Sequence, residues 1–279
     1  MIHSDMHIHS EFSYDSKLPL AELLSKAKEY GFKTVGVTDH VNYNDEQFLG
    51  DLKASAENVN EAKKSHPELL LGVELTPIAK PWFDHIAKHG TREGYVAPRS
   101  SKPYDIELAV TREELIALGV QYGIGAAHWR VDIADIKNVG TLDEMINEWY
   151  RQQIYLACDD RVTILGHPWW YGGKDLWYED LTVIPRSMNM EIAAALKAGG
   201  KYVECNCGML HPSLHGEKFS YQYAELIREF FELGIPVTYG SDCHTVYRDS
   251  RADLEKYLLA AGFKPGDIKP IAEKDLWVK

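Results

Sequence analysis

The chain has 279 residues, of which 45% are hydrophobic and 26% are charged, and its formal net charge is −12. This composition is typical of a globular protein and excludes a disordered chain, a collagen and a disulfide scaffold. The length is normal for a single α/β barrel. The acidic balance disfavours nonspecific binding to nucleic acids or to acidic membranes, so we expect neither as a partner.

The sequence carries no sign of secretion or of membrane insertion. Its first twenty residues lack the apolar core of a signal peptide, and no apolar stretch approaches the roughly eighteen residues of a membrane span. The four cysteines fit no zinc-knuckle spacing. We therefore expect a cytoplasmic protein with reduced thiols.

Short apolar runs alternate with amphipathic helical segments along the chain. The predicted strands, in chain order, are Ile2–His9, Thr34–Asp39, Leu69–Leu75, Ile124–Trp129, Val162–His167, Tyr202–Asn206 and Val237–Asp242. The predicted helices are Leu18–Tyr30, Asp45–Ser65, Thr111–Gln121, Thr141–Cys158, Ser187–Ala198, Tyr221–Leu233 and Arg251–Ala261. Such β-then-α units in succession predict a parallel sheet with helical crossovers.

The positions of polar residues favour a closed barrel over an open sheet. Ionisable residues crowd the carboxyl end of every predicted strand, and a barrel gathers all of these ends around one mouth. An open sheet spreads them along a line instead. We predict one barrel domain over residues 1–279, with long loops at Thr76–Glu107 and Trp169–Arg186. Loops of this length are usually functional, so we expect both to wall a pocket; decoration of the barrel rim is the alternative.

The first predicted strand brings two imidazoles together. Residues two apart share one face of a strand, so His7 and His9 point the same way, with Asp5 on their side. Met6 and Ile8 are then expected to face the surrounding helices. Two imidazoles at this spacing can bind one divalent cation.

Ligand-type residues also end the six other strands. Any one of them alone is better explained as a polar residue whose hydrogen bonds are satisfied at a strand end. Together, however, they bring too much charge into one barrel mouth to remain unpaired. Metal ions resolve this, and imidazole with carboxylate suits zinc, iron or manganese. These residues are Asp39, His40, Glu74, His128, His167, Glu204, Asn206, Asp242 and His244.

The same residues carry a resemblance to a known family. Asp5–Ser10 reads as D-x-H-x-H-S, Thr38–His40 as T-D-H, Gly72–Glu74 as G-x-E, Gly166–Pro168 as G-H-P and Gly240–His244 as G-S-D-x-H. Together with His128 they resemble the PHP (polymerase and histidinol phosphatase) superfamily of metal-dependent phosphoesterases. The resemblance implies a distorted (β/α)7 barrel.

It also implies two or three divalent metal ions and a division of their ligands. His7, His9, Glu74 and Asp242 would hold the first ion. Glu74 would bridge to a second, completed by His128 and His167, and Asp15, His40 and His244 would hold a third. If Asp15 is instead a loop cap, the centre is binuclear. Asp5 and Asp39 are interpreted as carboxylates that orient the histidines.

The function that follows is hydrolysis of a small phosphomonoester by a hydroxide that bridges two metals. Asp242 and the third metal, which His244 would help to hold, are the candidates to assist the leaving group, and Arg130 is the candidate cation for phosphate. The histidinol-phosphatase branch fits best, but the stretch Glu204–His211 lacks the basic residue expected there, which leaves the substrate open. A nuclease or phosphodiesterase and a non-catalytic metal-binding module are the alternatives.

Overall fold

The structure is a computed structural model that describes residues 2–97, 102–131, 141–170 and 180–278. Its strands are β1 Ser4–Ile8, β2 Thr34–Val37, β3 His40–Val41, β4 Leu69–Leu75, β5 Ile78–Ala79, β6 Ile106–Glu107, β7 Tyr122–Gly125, β8 Ile164–Leu165, β9 Tyr202–Asn206 and β10 Val237–Gly240. Its α-helices are α1 Leu20–Glu29, α2 Glu46–Lys63, α3 Lys80–His89, α4 Arg112–Ala117, α5 Leu142–Cys158, α6 Arg186–Ala198, α7 Cys207–Leu210, α8 Pro212–His215, α9 Glu217–Glu232 and α10 Arg251–Ala260.

The main sheet is parallel and almost closes on itself. Its order is β1-β2-β4-β7-β8-β9-β10, and the short β3 also pairs with β4. The segment after β10 returns to β1: Asp242 N donates to His7 O at 2.7 Å, and His9 N donates to Cys243 O at 3.0 Å. The strands alternate with helices along the chain. The predicted distorted (β/α)7 barrel is therefore confirmed.

A tyrosine fills the barrel interior across three strands. Tyr122 is fully buried, and its hydroxyl donates to Met6 O at 2.7 Å. A Cβ at Gly36 would lie 1.8 Å from the Tyr122 hydroxyl oxygen, and one at Gly72 would lie 2.6 Å from the Tyr122 ring. The ring thus needs glycine on β2 and β4 to cross from β7 to β1.

Most of the apolar core lies in one large cluster that joins the sheet to its helices. Strand residues such as Val35 and Leu71 belong to it, together with helix residues such as Leu23 and Trp149. A smaller cluster contains Met6, Tyr122, Ile124, Ile164, Tyr202 and Ile271. Burial of apolar surface in these layers is the main force that holds the strand ends in place.

The segment Thr76–Glu107 is not the loop that the sequence predicts. It contains a small antiparallel pair, β5 with β6, and the helix α3 between them. Proline at the start of α3 and Gly90 in a left-handed conformation at its end favour this helix. Much of the second predicted loop, residues 171–179, lies outside the described residues.

Other differences from prediction are at element ends. The fourth barrel strand, β7, is Tyr122–Gly125 rather than the predicted Ile124–Trp129, and it ends where its partners β4 and β8 end, at Leu75 and Leu165. Helix α9 begins one turn before the predicted Tyr221, and α7 and α8 are additional short helices. Within the described parts of the chain, no helix combines the length and the hydropathy needed to span a bilayer.

Candidate metal centre

Histidines and carboxylates from the carboxyl ends of the strands meet at one place in the barrel. Within the described residues, three groups have ligand atoms that all lie within 4.8 Å of one another. They are His7, His9, Glu74 and Asp242; His40, Glu74 and His128; and His9, Asp15, His40 and His244. Side chains separated by more than two hundred positions in the sequence are thus brought together, as expected for a barrel mouth.

Glu74, which is fully buried on β4, lies at the centre of the cluster. Its Oε2 lies 3.2 Å from the Nε2 atoms of both His7 and His9 and 3.1 Å from His40 Nδ1. Its Oε1 faces the other side, at 3.4 Å from His128 Nε2 and 3.1 Å from His167 Nε2. The two oxygens of one carboxylate therefore face two sets of imidazoles, which is the arrangement a ligand shared by two ions requires.

A further group lies closer to solvent. Asp15 Oδ2 is 3.4 Å from His40 Nε2 and 3.5 Å from His244 Nε2. Burial alone would raise the pKa of Asp15, but hydrogen bonds from His244 and His40 lower it well below its usual range. The Asp15 carboxylate therefore faces two imidazoles as well as its own loop, where Ser13 Oγ donates to it at 3.0 Å.

Asp242 joins the buried and the outer groups. Its Oδ1 lies 3.5 Å from His7 Nε2 and 3.3 Å from His9 Nε2. The residue has a left-handed backbone, with φ of 56°. Aspartate tolerates this conformation better than most residues, and the hydrogen bond from Asp242 N to His7 O helps to hold it there. The strained turn aims the carboxylate back across the barrel mouth.

Glu204 on β9 is one of the ligand-type residues that the sequence places at a strand end, but the sequence assigns it to none of the three metal ions. It is buried, and its Oε1 accepts from His7 Nδ1 at 2.8 Å while its Oε2 accepts from His167 N at 2.6 Å. Donation from Nδ1 leaves His7 Nε2 free to act as a ligand. A Cβ at Gly240 would lie 1.9 Å from Glu204 Oε1, so a glycine on β10 is what admits this carboxylate.

His128 is oriented in the same way. Thr76 Oγ1 donates to Asn42 Oδ1 at 2.7 Å and lies 2.9 Å from His128 Nδ1. A hydroxyl that gives its proton to Asn42 accepts one from the imidazole. His128 therefore presents Nε2 to Glu74.

The predicted roles of Asp5 and Asp39 are wrong. Asp5 accepts from Ser241 N and from the Tyr247 hydroxyl, both at 2.9 Å, and from His7 N at 3.3 Å, so it contacts the backbone of His7 and not its imidazole. Asp39 accepts from Ser10 and Ser55. These two aspartates fix the backbone beside the site instead of orienting imidazoles.

A register irregularity in β1 explains the error for Asp5. The pairing of β1 with β2 shifts between Asp5 and Ile8, so strict alternation fails there. Met6 consequently packs with Tyr122 and Ile124, and not against the helices as predicted. Ile8, in contrast, lies in the large cluster that includes helix residues.

The donor set fits divalent metal ions. Glu74 Oε2, His40 Nδ1 and His167 Nδ1 are buried, and although Glu74 Oε2 lies close to three imidazole nitrogens, none of these atoms makes a well-aligned hydrogen bond within the described part of the chain. Burial alone would lower the pKa of His9, but Asp242 and Glu74 raise it to about 9. Burial lowers the pKa of His128 to about 4. Imidazoles and carboxylates packed this closely are costly without a cation between them, and their nitrogen and oxygen donors suit zinc, iron or manganese.

Arg130, the predicted phosphate cation, lies two residues beyond His128 and is buried. It lines a cavity beside the cluster rather than the cluster itself.

Comparison with known proteins gives a consistent picture of the fold. The sequence model of the PHP domain matches residues 5–208. A crystal structure of histidinol phosphate phosphatase from Lactococcus lactis, in complex with zinc, L-histidinol and phosphate, superposes with a TM-score of 0.66 at 18% identity and covers 94% of each chain.

Curated relatives match over shorter segments. DNA polymerase III PolC-type of Lacticaseibacillus paracasei is 27% identical over 51% of this chain and 9% of its own length. The "Probable histidinol-phosphatase" of Thermotoga maritima is 36% identical over 17% of this chain and 20% of its own length. The chain thus matches at most a fifth of the length of these curated relatives.

Proposed function

The chain belongs to the PHP domain family, and on that premise we propose that it is a metal-dependent hydrolase of small phosphomonoesters. The observation that carries the proposal is Glu74, whose two carboxylate oxygens face two different sets of imidazoles at 3.1–3.4 Å. Paired metal ions are a recurrent way to hydrolyse phosphate esters.

We assign the ligands as the sequence divides them. His7, His9, Glu74 and Asp242 would hold one ion, Glu74 with His128 and His167 would hold a second, and Asp15, His40 and His244 would hold a third. His40 Nδ1 also lies 3.1 Å from Glu74 Oε2, so the third set of ligands contacts the carboxylate that the first two sets share. Bound divalent ions would supply Lewis acidity toward the phosphoryl oxygens and a water acidic enough to attack phosphorus.

The protein's own residues position these groups and exclude water from most of them. Glu204 and Thr76 hold His7 and His128 in the tautomers that offer Nε2. The side chains of Asp242 and His244 are 19% and 29% exposed, whereas that of Glu74 is 1% exposed. The proton for the leaving alkoxide therefore enters from the side of Asp242 and His244.

The proposal is tested by activity of the metal-loaded protein. Protein reconstituted with zinc, manganese or iron is assayed against a panel of phosphomonoesters that includes L-histidinol phosphate, with single-stranded DNA in parallel. We expect hydrolysis of phosphomonoesters and a loss of at least about 100-fold in Glu74→Gln. Faster cleavage of the DNA would favour the nuclease alternative, which the match to a DNA polymerase makes worth testing. Inactivity with every metal would refute the hydrolase.

A further inference from the structure

Tyr14 lies at the rim of the candidate metal centre, immediately before Asp15 in the chain. It is 47% exposed. The turn that carries both residues is fixed to the barrel mouth, because Ser16 Oγ and Lys17 N donate to His244 O at 2.6 and 2.8 Å. Tyr14 is therefore held where the mouth opens to solvent.

Two neighbouring rings set the position of the Tyr14 ring. Its centroid lies 5.3 Å from that of His40 and 5.3 Å from that of Phe48, which is in the first turn of α2. The guanidinium of Arg92 in turn lies 4.9 Å from the Phe48 ring centroid and forms an ion pair with Asp45. The Tyr14 ring is thus placed beside the outer group of ligands before any substrate binds, which reduces the entropic cost of a contact.

A chain of hydrogen bonds runs from the metal centre to the Tyr14 hydroxyl. Thr76 Oγ1 lies 2.9 Å from His128 Nδ1 and donates to Asn42 Oδ1 at 2.7 Å. Burial raises the pKa of the Tyr14 hydroxyl, whereas a hydrogen bond from the Asn42 side chain opposes this rise. A bond that favours the ionised oxygen is one that this oxygen accepts, so the Asn42 NH2 group donates to Tyr14. The hydrogen of the Tyr14 hydroxyl then remains for another acceptor.

Other hydroxyls beside the ligands already donate within the protein. Ser13 Oγ donates to Asp15 at 3.0 Å, and Thr76 Oγ1 donates to Asn42. The Tyr14 hydroxyl, in contrast, has no acceptor among the residues that the structure describes. A donor that is fixed in place without an acceptor is available to a ligand.

The electrostatics of the mouth place this hydroxyl toward the ligands. After burial, the charges of Asp15 and Glu74 are the next causes that raise the pKa of Tyr14. Asp15 belongs to the outer group, and Glu74 lies at the centre of the cluster. The hydroxyl is therefore near both carboxylates. A tyrosine hydroxyl is protonated at neutral pH, so it offers its hydrogen to an anion that enters the mouth.

We propose that the Tyr14 hydroxyl donates a hydrogen bond to a phosphoryl oxygen of the bound phosphomonoester. This inference rests on the proposed function and adds a substrate-contacting residue to that site. Metal ions held by the three groups of ligands would contact phosphoryl oxygens that face the cluster, and an oxygen that faces the rim takes its donor from the protein. A donor fixed in advance stabilises the charge that such an oxygen carries in the transition state.

Tyr14→Phe tests the proposal, because it removes the hydroxyl and keeps the ring against His40 and Phe48. For the metal-loaded enzyme we expect kcat/KM to fall about 10- to 100-fold, and to the same extent for ethyl phosphate and 4-nitrophenyl phosphate. The two losses should be equal because the hydrogen bond is made to the phosphoryl group and not to the leaving oxygen, whose basicity differs between the esters. A loss confined to ethyl phosphate, or no loss with either ester, would overturn the proposal and leave the hydrolase standing.

Tyr150→Phe is the matched control. The Tyr150 hydroxyl donates to Glu191, between α5 and α6 in the outer helical layer, so its removal should leave both kcat/KM values unchanged. Both variants should hold as many metal ions per chain as the parent, since neither hydroxyl is a proposed ligand. A lower metal content in Tyr14→Phe would show that Tyr14 acts through the metal ions and would refute direct contact with the substrate.

Calorimetric titration of the metal-loaded protein with inorganic phosphate separates the two proposals. We expect Tyr14→Phe to weaken phosphate binding about tenfold and Tyr150→Phe to leave it unchanged. If no ester is hydrolysed, the hydrolase fails, and this titration still decides the role of Tyr14. Equal phosphate affinity in Tyr14→Phe and the parent, or no phosphate binding by the parent, would refute that role.

Discussion

At the scale of single residues, the site depends on carboxylates that each contact side chains or backbone from more than one strand. Glu74 faces imidazoles from β1, from β3 and from the segments after β7 and β8. Glu204 contacts His7 on β1 and His167 after β8. A carboxylate that touches several strands fixes their relative positions as well as the protonation of the side chains it contacts.

Glu204→Gln tests whether this carboxylate prepares His7 for metal binding. The amide oxygen accepts a weaker hydrogen bond from His7 than a carboxylate does, and the amide NH2 group can only donate. We expect metal affinity to fall about 10- to 100-fold, with the far-ultraviolet circular dichroism spectrum unchanged. The measurement is competition with a chromophoric chelator.

Glu57→Gln, at an exposed position on α2, is the control for the charge change and should leave affinity unaltered. Full affinity in Glu204→Gln would show that His7 needs no such partner.

At the scale of elements, Tyr122 links three strands beneath the candidate metal centre. Gly36→Ala would place a Cβ 1.8 Å from the Tyr122 hydroxyl oxygen, and we expect it to lower the free energy of unfolding by about 1–3 kcal/mol. Tyr122→Phe alone should cost about 1 kcal/mol through the lost bond to Met6 O. In the double variant the clash with the hydroxyl is relieved, so the two costs should not add. Urea unfolding measures all three.

Gly50→Ala serves as the control, because nothing lies within 4 Å of a Cβ there. In the interior of α2 it should stabilise the protein by about 0.5–1 kcal/mol. Additivity of Gly36→Ala and Tyr122→Phe to within about 0.5 kcal/mol would contradict the proposed packing.

The end of α5 offers a test of pH dependence. Asp159 accepts from Arg161 Nε at 2.8 Å, and Arg161 also donates to Val110 O at 3.1 Å. Burial alone would raise the pKa of Asp159, but the hydrogen bonds and charge of Arg161 lower it. The unfolded chain, in which an Asp side chain titrates at about pH 4, therefore binds more protons in acid than the folded protein does. This stabilisation is complete above that pH and is lost as the pH falls through the folded pKa.

Asp159→Asn should accordingly lower the free energy of unfolding by about 1–3 kcal/mol at pH 7, and the difference from the parent should shrink toward pH 3. Urea unfolding across this range measures it. The neighbouring Asp160→Asn, at an exposed position, should change stability by less than about 0.5 kcal/mol at any pH. A difference for Asp159→Asn that does not vary with pH would contradict the assignment.

Some elements could be predicted from the sequence and others could not. The alternation of apolar runs with capped helices predicted the barrel, and Thr111 and Thr141 form capping boxes with Glu114 and Glu144. Helix α3 was missed because the prolines of its segment suggested a loop. The orientations of Asp5 and Met6 were missed because the irregularity in β1 leaves no mark in the residue pattern.

At the scale of the whole molecule, the barrel is what makes the site. The proposed ligands run from His7 to His244, and the return of the last strand to the first brings these ends together. Spacing within a strand predicted that His7 and His9 share a side. In the structure the Nε2 atoms of both lie 3.2 Å from Glu74 Oε2. Spacing could not predict the contacts of Glu204 with His7 and His167, because a buried glutamate on a strand reveals its partners only once the neighbouring strands are adjacent.

The most direct test of the central claim, that this cluster binds paired divalent ions, is the metal content of the protein. After saturation with zinc, manganese or iron and removal of free ion, elemental analysis should find two or three ions per chain, and at least one fewer in Glu74→Gln. Less than one ion per chain with every metal, or the same content in Glu74→Gln as in the parent, would contradict it.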